Sequence, residues 1–300
     1  MPSRVDPDPQ SPILILGGTG TVGSRIVHQL AAASIPALVA SRSGAAPESE
    51  HLTGVKFDWY DESTHDAPFK AAGDRGIRAV YVIAPPIIDS GPVMKAFIDL
   101  ALAKGTRRFV IQSSTAIAAG HRMGMGQIHK YLRELGNEGK ADWCALRPTW
   151  FQENFSTQAN HIDSIRNENK IYSATGIGKL PWVSADDIAA VAVKILTQKE
   201  PPHTEYKLLG PNNLSYDDVA HELSQVLGRR IKHDDLPRED FEQRMLAYGM
   251  SEDYAKVMAN LDHAISLHAE HRMNDTIERL LGRKPKYFHD TMKEAMAVWQ

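Results

Sequence analysis

Apolar residues along this chain come in two rhythms. Short solid blocks at Ile13 to Leu16, Ala37 to Ala40, Val55 to Phe57, Ala79 to Ala84, Arg108 to Gln112 and Trp143 to Leu146 carry aliphatic and aromatic side chains with little alternation. That pattern suits strands buried on both faces. Between them, near 21–33, 62–72, 91–104 and 125–136, apolar positions recur every three or four residues on otherwise polar stretches, the spacing of a helix with one buried stripe. Strand and helix in turn predict a mostly parallel sheet covered on both faces, with ligands held beyond the carboxyl ends of its strands.

The first strand runs into Gly17-Gly18-Thr19-Gly20-Thr21-Val22-Gly23. Glycine at 17, 20 and 23 permits a tight turn, close approach of a pyrophosphate and close helix-on-strand packing. The helix that follows then aims its first N–H groups at that phosphate. Turns also collect glycine for steric reasons alone, so the motif takes its meaning from context. Here an amphipathic run (Val22, Ile26, Val27, Leu30) follows it, and a second strand block, Ile35 to Ala40, arrives at the spacing of a βαβ unit. The expected fold is α/β, a Rossmann-type doubly wound parallel sheet with a smaller, mainly helical substrate lobe.

Past residue 155 the pattern loosens. Ser184-Ala-Asp-Asp187 has the form of a helix cap and opens an alanine-rich helix to about Leu196, and Tyr206 to Leu209 reads as a further strand. Residues 183–210 are therefore expected to return to a nucleotide-binding domain of residues 12–155, leaving 156–182 and 211–300 as the lobe. In the lobe, Ser215 and Asp218 cap a helix ended by Gly228, and further helices are expected near 238–249, 252–269 and 274–281. Residues 1–11, polar and proline-rich, read as a disordered leader.

Composition narrows the partners. A formal charge of -3 and a pI near 6.5 provide no basic field for a phosphate backbone, so nucleic acid is not expected. No apolar run approaches the ~20 residues of a membrane span. The single cysteine, Cys144, falls in a predicted strand and fits a buried thiol in a reducing, cytoplasmic setting. His268 and His271 share a polar helix face with no third ligand nearby, so no metal is expected. A Gly-x-Ser-x-Gly elbow is absent too.

The end of the second strand chooses between dinucleotides. An NAD-type fold places Asp or Glu there for the ribose 2′-hydroxyl, whereas this chain has Ser41-Arg42-Ser43, a guanidinium and two hydroxyls suited to a 2′-phosphate. NADP(H) is the expected cofactor. Asp58, with Trp59 beside it, is a candidate partner for the adenine amino group, and Ala84-Pro85-Pro86 for the ribose edge. Asp58 is otherwise an ordinary strand-end polar residue, and Pro85-Pro86 an ordinary strand terminator.

Carbonyl-reducing enzymes of this kind use Tyr-x-x-x-Lys to protonate the developing alkoxide, and none of the nine tyrosines here has lysine four positions on. A positioned general acid is worth a factor of ~10²–10⁴, so plain ketone reduction is disfavoured. An iminium carbon is reduced directly to a neutral amine and leaves no oxyanion to protonate. In the helix where the pair would lie, His129 is a candidate proton or hydrogen-bond donor to the reacting end, or a space-filling residue. Ser113 and Ser114, at the end of the fifth strand, are candidates for orienting a small-molecule substrate.

Leu14 to Gly23, Leu146-Arg-Pro-Thr-Trp-Phe-Gln-Glu-Asn154, Leu180-Pro-Trp-Val-Ser-Ala-Asp-Asp-Ile-Ala189 and the ending Gly282-Arg-Lys-Pro-Lys-Tyr-Phe288 resemble the NmrA-like group of atypical short-chain dehydrogenases. More narrowly, Phe57-Asp-Trp59, the run from Leu146 to Thr157 and Tyr172 to Pro181 are similar to the fungal agroclavine and festuclavine dehydrogenases of ergot alkaloid biosynthesis. That resemblance implies NADPH-dependent reduction of a cyclic iminium ion to an amine. It further implies that Pro148, Thr149 and Trp150 pass close to the nicotinamide and that Phe151, Asn154 and Phe155 border the substrate, or else that the aromatic residues seal the seam between lobes. The chain departs from the expected pattern at Gln127, where a lysine or similar residue is expected two before His129.

The same group includes proteins resembling redox sensors, which bind NADP(H) without turnover, and the missing proton donor suits them as well. A non-redox isomerase or lyase on the same scaffold is a third class, since fold does not fix function.

Overall fold

The computed structural model describes residues 8–300. Two compact units divide the chain: one runs up to Arg147 and includes Ile188–Lys207, the other holds Pro148–Asp187 and Leu208–Gln300. The boundaries differ from expectation, since residues 148–155, 183–187 and 208–210 belong to the second unit. Of the expected leader, residues 1–7 lie outside the described residues. Asp8 to Ser11, by contrast, form a turn in which Ser11 is buried and its hydroxyl donates to the Arg75 carbonyl (2.6 Å).

The strands are β1 (Ile13–Leu16), β2 (Ala37–Ser41), β3 (Leu52–Lys56), β4 (Ala79–Ile83), β5 (Arg108–Gln112), β6 (Asp142–Pro148), β7 (Lys170–Ser173), β8 (Thr204–Leu208) and β9 (Lys232–Asp235). Seven form one sheet in the order β3-β2-β1-β4-β5-β6-β8, and the pairings from β3 through β6 are parallel. Ile13 sits opposite both Ala37 and Ala79, which fixes the register at the centre, and every residue of β1 and β2 is buried. β3 starts earlier than expected because Leu52 to Gly54, though partly exposed, pair along β2.

The first unit's helices are α1 (Thr21–Ala32), α2 (Ala67–Ala72), α3 (Gly91–Ala103) and α4 (Gly124–Asn137). Leu14, Leu16, Val80, Val82, Phe109 and Ile111 point to one face of the sheet and bury against Met94, Phe97 and Ile98 of α3 and Ile128 and Leu132 of α4. The helix expected over 62–72 is broken. A 3₁₀ turn occupies Glu62–Thr64 with Asp61 accepting from the Ser63 N–H, and α2 starts afresh with Pro68 in its first turn, where the missing N–H is harmless.

In the second unit α5 (Asn154–Thr157), α6 (Ala159–Asp163) and the start of α7 (Ala185–Thr197) are followed by α8 (Tyr216–Leu227), α9 (Arg238–Ala247), α10 (Glu252–Ser266), α11 (Thr276–Leu281) and α12 (Phe288–Glu294). α8 has the expected reciprocal cap, Ser215 with Asp218, and ends at left-handed Gly228. α10 ends before residue 269 because His268 takes a left-handed conformation (φ 62°). Its core gathers Phe155, Trp182, Tyr216, Leu223, Ile265, Phe288 and Trp299. No helix among the described residues is long and apolar enough to cross a membrane.

A cavity of about 440 Å³ opens where the strands of the first unit begin, with Arg75, Arg78, Lys104, Arg107 and Arg108 in its lining. Its basic character has a structural origin. Arg78 donates to the Thr197 carbonyl (2.7 Å), and Arg108 donates to those of Gln198 and Lys199. They satisfy the carbonyl that ends α7 and the two that follow it, and complement the negative end of the helix dipole.

Candidate functional site

The turn between β1 and α1 is shaped by backbone proximity. Gly17 is left-handed (φ 66°), and a Cβ on Gly23 would lie 2.1 Å from the Gly17 carbonyl oxygen, so α1 packs directly on the turn. Thr19 and Gly20 are exposed, Thr21 is half-buried and Val22 is buried against the sheet. Gly20 caps α1 without a side chain, and the first turn holds no acid. The N-terminus of a 12-residue helix is therefore left to outside acceptors, which fits a pyrophosphate.

Because β1 to β5 are parallel, the residues that follow them lie along one edge of the sheet. Ser41 is buried with its hydroxyl 3.3 Å from that of Ser43, and Arg42 is exposed beside them. Cationic and hydroxyl-bearing, this set fits a 2′-phosphate. Asp58 is partly occupied: one carboxylate oxygen accepts from the Tyr60 N–H (2.9 Å), which makes it a turn former. Trp59 packs edge-on against Phe57 and Phe97, with ring centroids 5.0 and 5.6 Å away. Ala84 is half-buried and Pro85 buried at the end of β4.

Ser113 stands at the end of β5, 4% exposed, and its hydroxyl has no partner among the described residues. The same holds for Thr115, two positions on, and for Ser90 before α3. Buried hydroxyls are rarely left unpaired, so these three are candidates for an outside partner. Ser114, by contrast, accepts from the Ala116 N–H and is used up in a turn.

His129 does not lie open at this edge. It is 1% exposed, its ring 5.5 Å from that of Trp143 of β6 and tilted 50° to it, with Nε2 3.4 Å from Glu205 of β8 and Nδ1 without a partner among the described residues. Burial pushes its pKa below the ordinary histidine value, against the pull of Glu205, so it favours the neutral form. Tyr131 turns away, giving its hydroxyl to Asp99 of α3. Gln127, the departure from the expected pattern, donates to the Arg122 carbonyl (2.6 Å). Burial also pushes the Cys144 thiol up, out of the reactive range.

The second unit holds Pro148 to Phe155. Thr149 is 3% exposed with an unpartnered hydroxyl, and Trp150, Phe151 and Asn154 are half-buried. Phe155 departs from the substrate-bordering role: its ring is fully enclosed by Trp182, Tyr216 and Phe288, at centroid distances of 5.2 to 5.9 Å. Gln152 donates to the carbonyls of Trp182 and Lys286, while Glu153 accepts from the Ser184 hydroxyl and the Ala185 N–H at the start of α7.

Sequence reading missed Ser90, Thr115, Arg147 and Glu205. No local spacing signals them, because their meaning comes from neighbours brought in by other strands. Among the described residues no group of three or more His, Cys, Asp or Glu is placed to hold a metal.

A model of the NmrA-like family matches residues 9–295. The chain belongs to the NmrA-like family. Festuclavine synthase II of Penicillium roqueforti is 38% identical to this NmrA-like chain over 291 residues, covering 96% of it and 99% of that protein. An uncharacterized oxidoreductase of Bacillus subtilis is 37% identical over 292 residues, 97% of each chain, so the likeness is not confined to fungal proteins. Triphenylmethane reductase of Citrobacter sp., solved with NADP(H), matches with a TM-score of 0.72 at 19% identity over 95% of this chain and 99% of that one, a likeness of fold.

The NmrA-like motifs also acquire a physical meaning. Asp187 accepts from the Lys286 N–H (2.7 Å) and pairs with Arg283, and the Thr291 hydroxyl donates to Gln152. The runs around 152, 184 and 286 are thus tied together inside the second unit.

Proposed function

We propose that this NmrA-like protein is an NADPH-dependent oxidoreductase that reduces a cyclic iminium carbon to an amine. The observation that carries the reading is the kind of polar group at the strand edge: buried hydroxyls at Ser113 and Thr115, with His129 enclosed and Tyr131 committed to Asp99. Such an edge can orient a substrate, yet it holds no exposed acid of the sort a ketone needs.

Bound NADPH supplies hydride to the substrate carbon. The cradle from Gly17 to Gly23 would hold its pyrophosphate, and Ser41, Arg42 and Ser43 its 2′-phosphate. Adding hydride to C=N⁺ neutralises the nitrogen, so no proton has to arrive with it. The half-buried Trp150 and Phe151 offer aromatic surface to a cationic substrate, an attraction of roughly 0.5–2 kcal/mol. The names of relatives support the coarser part of the reading, festuclavine synthase for alkaloid metabolism and NAD(P)H azoreductase of Xenophilus azovorans, 29% identical, for the cofactor class.

The test is NADPH consumption with a panel of cyclic iminium ions, ketones and quinones, with Arg42→Ala beside the wild type. Turnover is expected on iminium ions, and Arg42→Ala is expected to raise the KM for NADPH about tenfold while leaving NADH unaffected. Equal turnover of simple ketones would overturn the substrate class. Tight NADPH binding with no turnover on the whole panel would favour a redox sensor, a reading that the enclosed His129 also suits.

A further inference from the structure

Arg147, near the end of β6, is 7% exposed, and its guanidinium serves three acceptors at once. Nε donates to the Ser114 carbonyl (3.0 Å), Nη2 to the Thr115 carbonyl (2.8 Å) and Nη1 to Glu205 Oε1 (2.6 Å). The other oxygen of Glu205 faces His129 Nε2 at 3.4 Å. One carboxylate thus joins β6, β8 and α4, and through Arg147 it holds the segment that follows β5.

Two features set this apart from ordinary packing. Arg147 takes up the backbone carbonyls of Ser114 and Thr115, yet the buried hydroxyls of Ser113 and Thr115 stay without partners among the described residues. A segment is thereby fixed by its main chain while its side-chain donors are kept in reserve. In addition, an ion pair whose carboxylate is more than a third exposed adds little stability, so its worth lies in orientation. Only the planar fork of arginine reaches two carbonyls and a carboxylate together.

We propose that Arg147, locked by Glu205 with His129 behind it, is the positioning residue that fixes Ser113 to Thr115 so that their hydroxyls meet the reacting end of the substrate. This rests on the oxidoreductase reading above. Besides Glu205 and Arg147, the charged group that acts on His129 is Arg133 of its own helix.

The test compares Glu205→Ala, Glu205→Gln and Arg147→Lys in the full chain. Glu205 is partly exposed, so its replacement is tolerated. Two readouts are taken: amide hydrogen exchange at Ser113 and Ile117, whose N–H groups donate to the Leu146 and Ser114 carbonyls, and steady-state kinetics with an N-methylated dihydroisoquinolinium ion. Glu205→Ala should speed exchange and lower kcat, each about tenfold, with the KM for NADPH within about twofold of wild type. Glu205→Gln, which keeps an acceptor for Arg147, should recover most of both.

Should Glu205→Ala not fold, Arg147→Lys carries the same test, since an ammonium keeps the pair with Glu205 but cannot serve both carbonyls. Unchanged exchange in these variants overturns the proposal, as does faster exchange with unchanged kcat. A wild type that turns over no iminium ion sinks the functional reading instead, and the exchange measurement then decides the role of Arg147 by itself.

Discussion

Ser113 and Thr115, after β5, and Gln152 and Glu153, after β6, are all polar and almost wholly buried, and each pair follows an interior strand of the sheet. They differ in what their side chains touch. Gln152 and Glu153 are bonded to Trp182, Ser184, Ala185, Lys286 and Thr291, whereas the hydroxyls of Ser113 and Thr115 meet no partner among the described residues. Saturated polar groups inside a protein hold it together; unsaturated ones are kept at a cost and so point to a ligand.

The largest effect should follow from breaking the saturated side. Glu153→Ala strips the Ser184 hydroxyl and the Ala185 N–H of their acceptor, and a loss of roughly 3–5 kcal/mol of stability is expected in urea unfolding. NADPH affinity of the fraction that remains folded should stay near that of wild type. A large fall in affinity with stability intact would reverse the assignment.

Asp262 of α10 is an intermediate case, with a bond from the Ala174 N–H (3.0 Å) but a fully buried carboxyl. Burial raises its pKa to about 7, with the charge of Asp235 adding to the rise. The folded state therefore keeps the proton where the unfolded chain, near pH 4, has lost it. Its contribution to stability is complete below that pH and is lost as pH rises to about 7, by up to about 4 kcal/mol. Asp262→Asn should flatten this slope when unfolding midpoints are compared across that range. A slope unchanged by the substitution would remove Asp262 as its source.

The unsaturated side should answer differently. Ser113→Ala is expected to lower kcat on the order of 10²-fold and to change stability by less than about 1 kcal/mol, since no internal bond is lost. Stability loss without a kinetic effect would mean that Ser113 has a partner after all.

The cradle was legible because its signals are local: a solid strand block, glycines at fixed offsets and an amphipathic helix, all within about one βαβ unit. Arg42 is read from the same local signal, its place where an acid is expected, and the structure sets it exposed beside Ser41 and Ser43. β9 was not legible, since Lys-His-Asp-Asp carries no apolar block and becomes a strand only by pairing with β7. Nor was the boundary between the units, which depends on bonds such as that from Gln152 to the Lys286 carbonyl, 134 residues away. The family resemblance implies that the run from Phe151 to Phe155 borders the substrate, or else that its aromatic residues seal the seam between lobes. The last ring of the run proved to be core, a distinction that depends on Trp182, Tyr216 and Phe288 arriving from elsewhere.

The Trp299 indole donates to the Phe155 carbonyl across 144 residues of chain, with its ring closing the same core. Contacts of such long range make the conformational search slow, because loop entropy is lost before any contact rewards it. The second unit should therefore be the late half to mature during refolding, its aromatic interior left open to self-association for longer than that of the locally wired first unit.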